Sequence, residues 1–185
     1  MWKNNLQTLF IEKDVWELKT DLTFEFSKKD IRNIHKTIYT WERLGVYIFE
    51  KQDGYVIIVP NGFFTDLGSS PRILWWFISP WDIARPAALH DYLYYRLKNG
   101  KNLPASHKRM MRKQADRIFK RGLKDDDILG MIRQQIAYRL VRLFGIFTLR
   151  MNGTHDRHNR KEHINEIQAK GSLEQSSTEN SEGTR

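Results

Sequence analysis

The stretch "ARPAALHDYLYYRLKNG", residues 84–100, decides how the chain folds. Leu89, Leu93 and Leu97 recur at helical spacing and form one apolar stripe, while Pro86 falls close enough to the start to be tolerated. Asn99-Gly100 supplies a stop. The spacing predicts a helix from about Ala84 to Leu97. His90 and Tyr94 are four apart and share a strip beside the leucine stripe, and Asp91 points about 100° further round. A histidine at that border lies where core and solvent meet, so it can be held in one tautomer and still reach water, as a general base must. Asp91 faces away from its neighbour's ring, and its carboxylate is better placed to hold a cation or to cap another group.

Downstream, a second helix is expected from about Ser106 to Arg121, with Met111, Ala115, Ile118 and Phe119 inward and Gly122 as its C-cap. A third is expected to start under "KDDD", whose carboxylates suit a positive helix N-terminus, and to bury Ile128, Ile132, Ile136, Leu140 and Phe144. Upstream, residues from about Val15 to Phe64 read as strands. "VWELKTDLTFEF" alternates in places, and "GVYIFE", "KQDG" and "YVIIVP" form a hairpin with Asp53-Gly54 at its turn. "KKDIRNIHKTIY" fits either a short helix or an edge strand. Ser70 and Pro71 are placed to open a short helix, "PRILWWFI". The fold class is therefore α+β, a small N-terminal antiparallel sheet followed by a three-helix region. A single domain spans about residues 10–150. Residues 151–185 are basic, then polar, and are expected to be largely disordered.

The chain has 185 residues, enough for one core and too few for two independent ones. Its aromatic fraction of 12% excludes a disordered chain, and the lack of cysteine excludes disulfides and thiolate metal sites. The start resembles no export signal, and no window approaches the roughly 18 apolar residues of a membrane span. These features place the protein in a cytoplasm. Thirty-one basic against 22 acidic residues leave a formal charge of +9, which favours phosphate-bearing partners, either anionic lipid or nucleic acid. Oligomeric state is not legible.

Asp116 is the acid to look for beside His90. It is the sole carboxylate in a helix that carries Lys108, Arg109, Arg112, Lys113, Arg117, Lys120 and Arg121. If the short connection "KNGKNLPA" folds the two helices antiparallel, Asp116 approaches His90 and Tyr94; otherwise it pairs with Arg112 or Lys120 one turn away. The loop "VPNGFFTDLGSSPR" is dense in oxygen donors at Thr65, Asp66, Gly68, Ser69 and Ser70, the kind a hard cation such as calcium takes. On sequence alone the favoured reading is a plain turn in which Asp66 or Ser70 caps a helix.

Those motifs carry two resemblances. "VPNGFFTDLGSSPR", "AALHDYLYY" and "KQADRIF" occur in the order of an uncharacterised family of tailed phages and prophages, whose pattern is V-P-x-G-F-x-T-D-x-x-S-x-P-R, H-D-x-L-Y and A-D-x-x-F, over about Val15 to Phe144. More remotely, an H-D-x-x-Y helix followed by an A-D-x-x-F helix is similar to the phospholipase A2 superfamily. That resemblance implies that His90 activates water, Asp116 orients it, Tyr94 bonds to Asp116, and Asp91 holds calcium. The calcium loop would fall within Thr65 to Ser70, giving Thr65, Asp66, Gly68 and Ser69 as further ligand candidates.

The expected activity is a calcium-dependent lipid esterase encoded by a phage, placed in the host cytoplasm or on the virion, with "ILWWFISPW" as an interfacial surface. Two other readings stand beside it. One is a non-enzymatic phage component in which the same side chains form a buried polar network. The other is a His-Asp metal phosphohydrolase drawing on His35, His90, Asp91 and Asp116 or Asp126. His155, Asp156, His158 and His163 resemble a metal site by composition alone, without apolar anchors.

Overall fold

The computed structural model describes residues 1–13, 15–31, 34–67, 78–100, 103–148 and 158–159. Gly54 shows how tightly the sheets are built. A Cβ there would lie 2.2 Å from the Phe26 carbonyl oxygen, so only glycine lets the neighbouring strand come so close. The strands concerned are β3 (Leu22–Ser27), β4 (Tyr47–Lys51) and β5 (Gly54–Val59), which form an antiparallel sheet in the order β3-β5-β4. Lys51 pairs with Gly54. The two-residue turn is thus Gln52-Asp53, and Gly54, expected inside the turn, begins β5 instead.

A second antiparallel sheet takes β1 (Thr8–Glu12), β2 (Val15–Leu18) and β6 (Phe64–Thr65) in the order β1-β2-β6. The run "VWELKTDLTFEF" is therefore divided between two sheets, with Lys19–Asp21 as the break. The ambiguous segment after β3 is helical: a 3-10 turn at Ile34–Lys36 leads into α1 (Ile38–Arg43), whose Trp41 is fully buried. Trp2 also belongs to the core, its ring tilted against that of Phe24 with centroids 4.5 Å apart.

A 3-10 turn at Pro80–Ile83 leads into α2 (Ala84–Asn99). Leu89, Leu93 and Leu97 are all buried, as their spacing requires. The next helix, α3 (Ala105–Asp126), buries Met111, Ala115, Ile118 and Phe119 as expected but runs one turn further. Gly122 is an interior residue of that helix rather than its cap. A Cβ there would sit 3.0 Å from Trp2 Cζ2 and 3.2 Å from Pro86 Cβ, and the Trp2 indole N–H donates to the Gly122 carbonyl oxygen at 3.2 Å. Asp127, at φ 49°, ends the helix in the left-handed region. "KDDD" accordingly closes α3 and does not open α4 (Met131–Thr148), and Asp126 pairs with Arg85. Strict four-residue spacing drifts about 40° per step on a helix of 3.6 residues per turn. Ile132 is consequently exposed, as is Ile128 in the connection before the helix, and the inward face of α4 is Ile136, Ala137 and Val141. Phe144's side chain and the helix expected from Ser70 lie outside the described residues.

Of the tail, His158 and Asn159 are described, and both return to β6. Asn159 accepts from the Phe64 N–H and donates to the Phe64 carbonyl oxygen, each at 2.8 Å. Among the described residues, no helix is long and apolar enough to cross a membrane.

Candidate functional site

Pro86 faces Gly122 and His90 faces Asp116, so contacts between α2 and α3 run in opposite sequence directions and the helices are antiparallel. That arrangement brings together three of the side chains singled out by sequence. His90 Nε2 lies 3.2 Å from Asp116 Oδ1, and the Tyr94 hydroxyl donates to the same oxygen at 2.7 Å. Asp116 is 1% exposed and His90 7%. The imidazole lies against the Tyr94 ring at 4.1 Å and the Phe119 ring at 5.3 Å, which fixes its plane. Asp116 makes no ion pair with Arg112 or Lys120 among the described residues.

Two donors converge on Oδ1, whereas Asp116 Oδ2 is buried with no hydrogen-bond partner. An unpaired buried carboxylate oxygen is costly and unusual outside functional sites. Burial, and then the negative charge of Asp116, push the Tyr94 phenol well above its ordinary range. Tyr94 therefore stays protonated and acts only as a donor to the carboxylate. Two cations contribute to the field here: Arg112 of α3, named from sequence as an alternative partner of Asp116, and Arg142 of α4, which sequence did not single out. Arg142 also donates to the Tyr138 hydroxyl at 3.2 Å. Its role depends on how α4 docks, and the four-residue isoleucine spacing misdirected that face.

On the neighbouring side of α2, the Thr65 hydroxyl donates to Asp91 Oδ2 at 2.5 Å, and the Leu67 N–H donates to Thr65 Oγ1 at 3.0 Å. Thr65 is fully buried. Leu67 adopts φ 52°, a left-handed conformation that is strained for a leucine. The loop expected to carry oxygen donors thus meets Asp91, with Asp66 next along the chain. Gly68 and Ser69 lie outside the described residues. Carboxylate, hydroxyl and carbonyl oxygens fit a hard cation in kind. The described residues contain no group of three or more His, Asp or Glu side chains able to hold a metal. His35, His90, Asp91, Asp116 and Asp126 accordingly form no such group. His35 is exposed on the 3-10 turn before α1.

The tail histidines His155 and His163, with Asp156, lie outside the described residues. His158 pairs with Glu12 at 2.8 Å and lies tilted against the Phe64 ring at 5.0 Å. Of the aromatic run before α2, Ile78 is buried and Trp81 is 56% exposed. Trp81 meets Trp16 edge-on at 4.9 Å, and Trp16 meets Phe10 at 5.0 Å. Because Trp16 also pairs with Thr65 across β2 and β6, this aromatic row is joined through the sheet to the residue that holds Asp91.

Residues 41–141 match the family model described as "Protein of unknown function (DUF1353)". The match begins within α1, ends within α4, and includes Thr65, Asp66, His90, Asp91, Tyr94 and Asp116. The chain belongs to that family. No curated protein and no solved structure matches it.

Proposed function

We propose that this member of the DUF1353 family is a hydrolase of carboxylic esters presented on anionic lipid surfaces, with His90 as the general base. The observation that carries the reading is the convergence of His90 Nε2 and the Tyr94 hydroxyl on one buried oxygen of Asp116. With the Asp116 carboxylate accepting the Nε2–H, the imidazole lone pair is left on Nδ1, free to take a proton from a water molecule. Asp116 and Tyr94 are positioning residues: the first selects that tautomer and steadies the imidazolium, and the second fixes the carboxylate. The resemblance to the phospholipase A2 superfamily supports the same assignment residue by residue.

Asp91, Asp66 and the oxygens of the loop after Thr65, including Gly68 and Ser69, would hold calcium if one binds. The ion would polarise an ester carbonyl and stabilise an oxyanion. Phe10, Trp16 and Trp81, backed by the formal charge of +9, suit an anionic lipid–water interface. The exposed basic side of α3 would serve nucleic acid less well, since it lacks interleaved aromatic groups. A phage origin, with action in the host cytoplasm or from the virion, rests on the motif resemblance.

The test is release of fatty acid from phosphatidylglycerol vesicles by the intact protein, run beside a soluble phosphate ester. Release from the vesicles alone upholds the reading. Cleavage of the phosphate ester alone, or of neither substrate, overturns it. The 7% exposure of His90 favours one other reading, a buried network that fixes the register of α2 on α3.

A further inference from the structure

His90 faces α3, while Arg96 and Asn99 lie six and nine residues further along α2, turned about 120° and 180° away from it. On that far side, α1 and the end of α2 enclose a cavity of about 290 Å³ lined by Thr40, Arg43, Leu44, Tyr95, Arg96 and Asn99, and closed by Gly100 and Leu103. Among the described residues, two guanidinium groups line it and no carboxylate does. Among the described residues, neither Arg43 nor Arg96 pairs with an acid.

Arg96 is held as a ligand-binding arginine should be. Its guanidinium lies over the Tyr92 ring at 5.3 Å and near the Tyr95 ring at 6.0 Å. Gly45, at φ +78°, allows close approach on another side: a Cβ there would come within 3.1 Å of Arg96 Nη1. The Arg96 Nε is buried without an acceptor. A cation fixed between aromatic rings, partly stripped of water and lacking a counter-ion is incomplete by itself. The polar donors around it are of the same sign. The Asn99 side-chain N–H donates one hydrogen to the Tyr95 carbonyl oxygen at 2.8 Å and keeps a second, and Thr40 brings a hydroxyl. The partial negative charge at the C-terminus of α2 opposes an anion, but it amounts to about half a charge against two full guanidinium charges.

We propose that this cavity is an anion subsite for a phosphate group, separate from the His90 cluster. Arginine forks match the paired oxygens of a tetrahedral phosphate, and two forks with a hydroxyl and an amide suit three oxygens better than the two of a carboxylate. The cavity lies at the lower end of ligand-pocket sizes, room for a phosphate and a small substituent such as glycerol. The phosphate is either free or part of a lipid headgroup.

The test is calorimetric titration of the intact protein, in calcium-free buffer, with inorganic phosphate, glycerol phosphate and sodium acetate, alongside Arg43→Gln and Arg96→Gln. Arg43 is exposed, so its replacement leaves the fold intact even if Arg96→Gln does not. Saturable phosphate binding that weakens about tenfold or more in Arg43→Gln is the expected result. Co-sedimentation with phosphatidylglycerol vesicles separates the sources. A loss in Arg43→Gln with competition by phosphate assigns the headgroup, and unchanged vesicle binding assigns free phosphate; both uphold the subsite. No phosphate binding by the parent protein, a wild-type Kd in Arg43→Gln, or equal affinity for acetate overturns it.

Discussion

Tyr94→Phe deletes one oxygen and little else, which makes it a clean probe of the Asp116 cluster. The phenylalanine ring keeps the 4.1 Å contact with His90, so packing is preserved. What disappears is a 2.7 Å hydrogen bond to a carboxylate that is 1% exposed and already has one oxygen unpartnered. A hydrogen bond to a charged group is worth about 1.5–3 kcal/mol, and no orphaned donor is left behind to add to the loss. For a chain of this size each kcal/mol shifts Tm by about 2–4 °C, so the variant should melt about 3–12 °C lower. Urea unfolding with an unchanged slope, paired with calorimetry, measures it. Asp116→Asn and the double variant complete a cycle, in which the coupling between the two positions should account for most of the loss. A change below about 0.5 kcal/mol, the range of an ordinary surface substitution, would show that the hydroxyl does not bond to Asp116 in solution. The raised Tyr94 pKa gives a second readout with a definite sign. The stabilisation is fully present below the unfolded tyrosine value of 10.0 and is lost as pH rises above it. Tyr94→Phe should flatten that alkaline limb.

Three further outcomes follow from the fold. Gly54→Ala places a Cβ 2.2 Å from the backbone oxygen of Phe26, so β3 must part from β5; unfolding should cost at least about 3 kcal/mol less than for the parent, the upper end for overpacking. Lys3 and Lys51, hydrogen-bonded to Glu25, hold its carboxyl down at about 2 from 4.5; this stability is present above pH 4.5 and lost as pH falls through 2, so Glu25→Gln should flatten the acid limb of a melting-temperature profile. Asn159→Ala leaves the Phe64 N–H and carbonyl oxygen without their side-chain partners; hydrogen exchange at the Phe64 amide should accelerate, with a loss of about 1–3 kcal/mol for each group left buried and unpaired.

The His90 cluster was legible because it needs only two regularities. His90 and Tyr94 share a helical strip, and Asp116 is the one acid in the basic run from Lys108 to Arg121 that a short connection folds back. Both depend on local spacing and chain connectivity. Arg142 and the cavity at Arg96 were not legible, because each depends on how one element docks on another. α4 turns Ile132 outward and Ile136 inward as the four-residue spacing drifts, and α1 could not be told from a strand without the contact of Trp41 and Thr37 with Gln114. Gly122 misled for a related reason. Glycine near a helix end usually marks a cap, but here it makes room for Trp2, which reaches α3 from 120 residues away.

Fatty-acid release by His90→Gln, compared with the parent on phosphatidylglycerol vesicles and with melting temperatures measured on the same samples, tests the central claim most directly. The glutamine amide can still donate to Asp116 from near the position of Nε2, but it has no group to accept a proton at Nδ1. Release should therefore fall about 10²- to 10⁴-fold while Tm stays within a few degrees of the parent. Undiminished release by the variant would contradict the account, as would a parent protein that releases nothing while His90→Gln lowers Tm sharply.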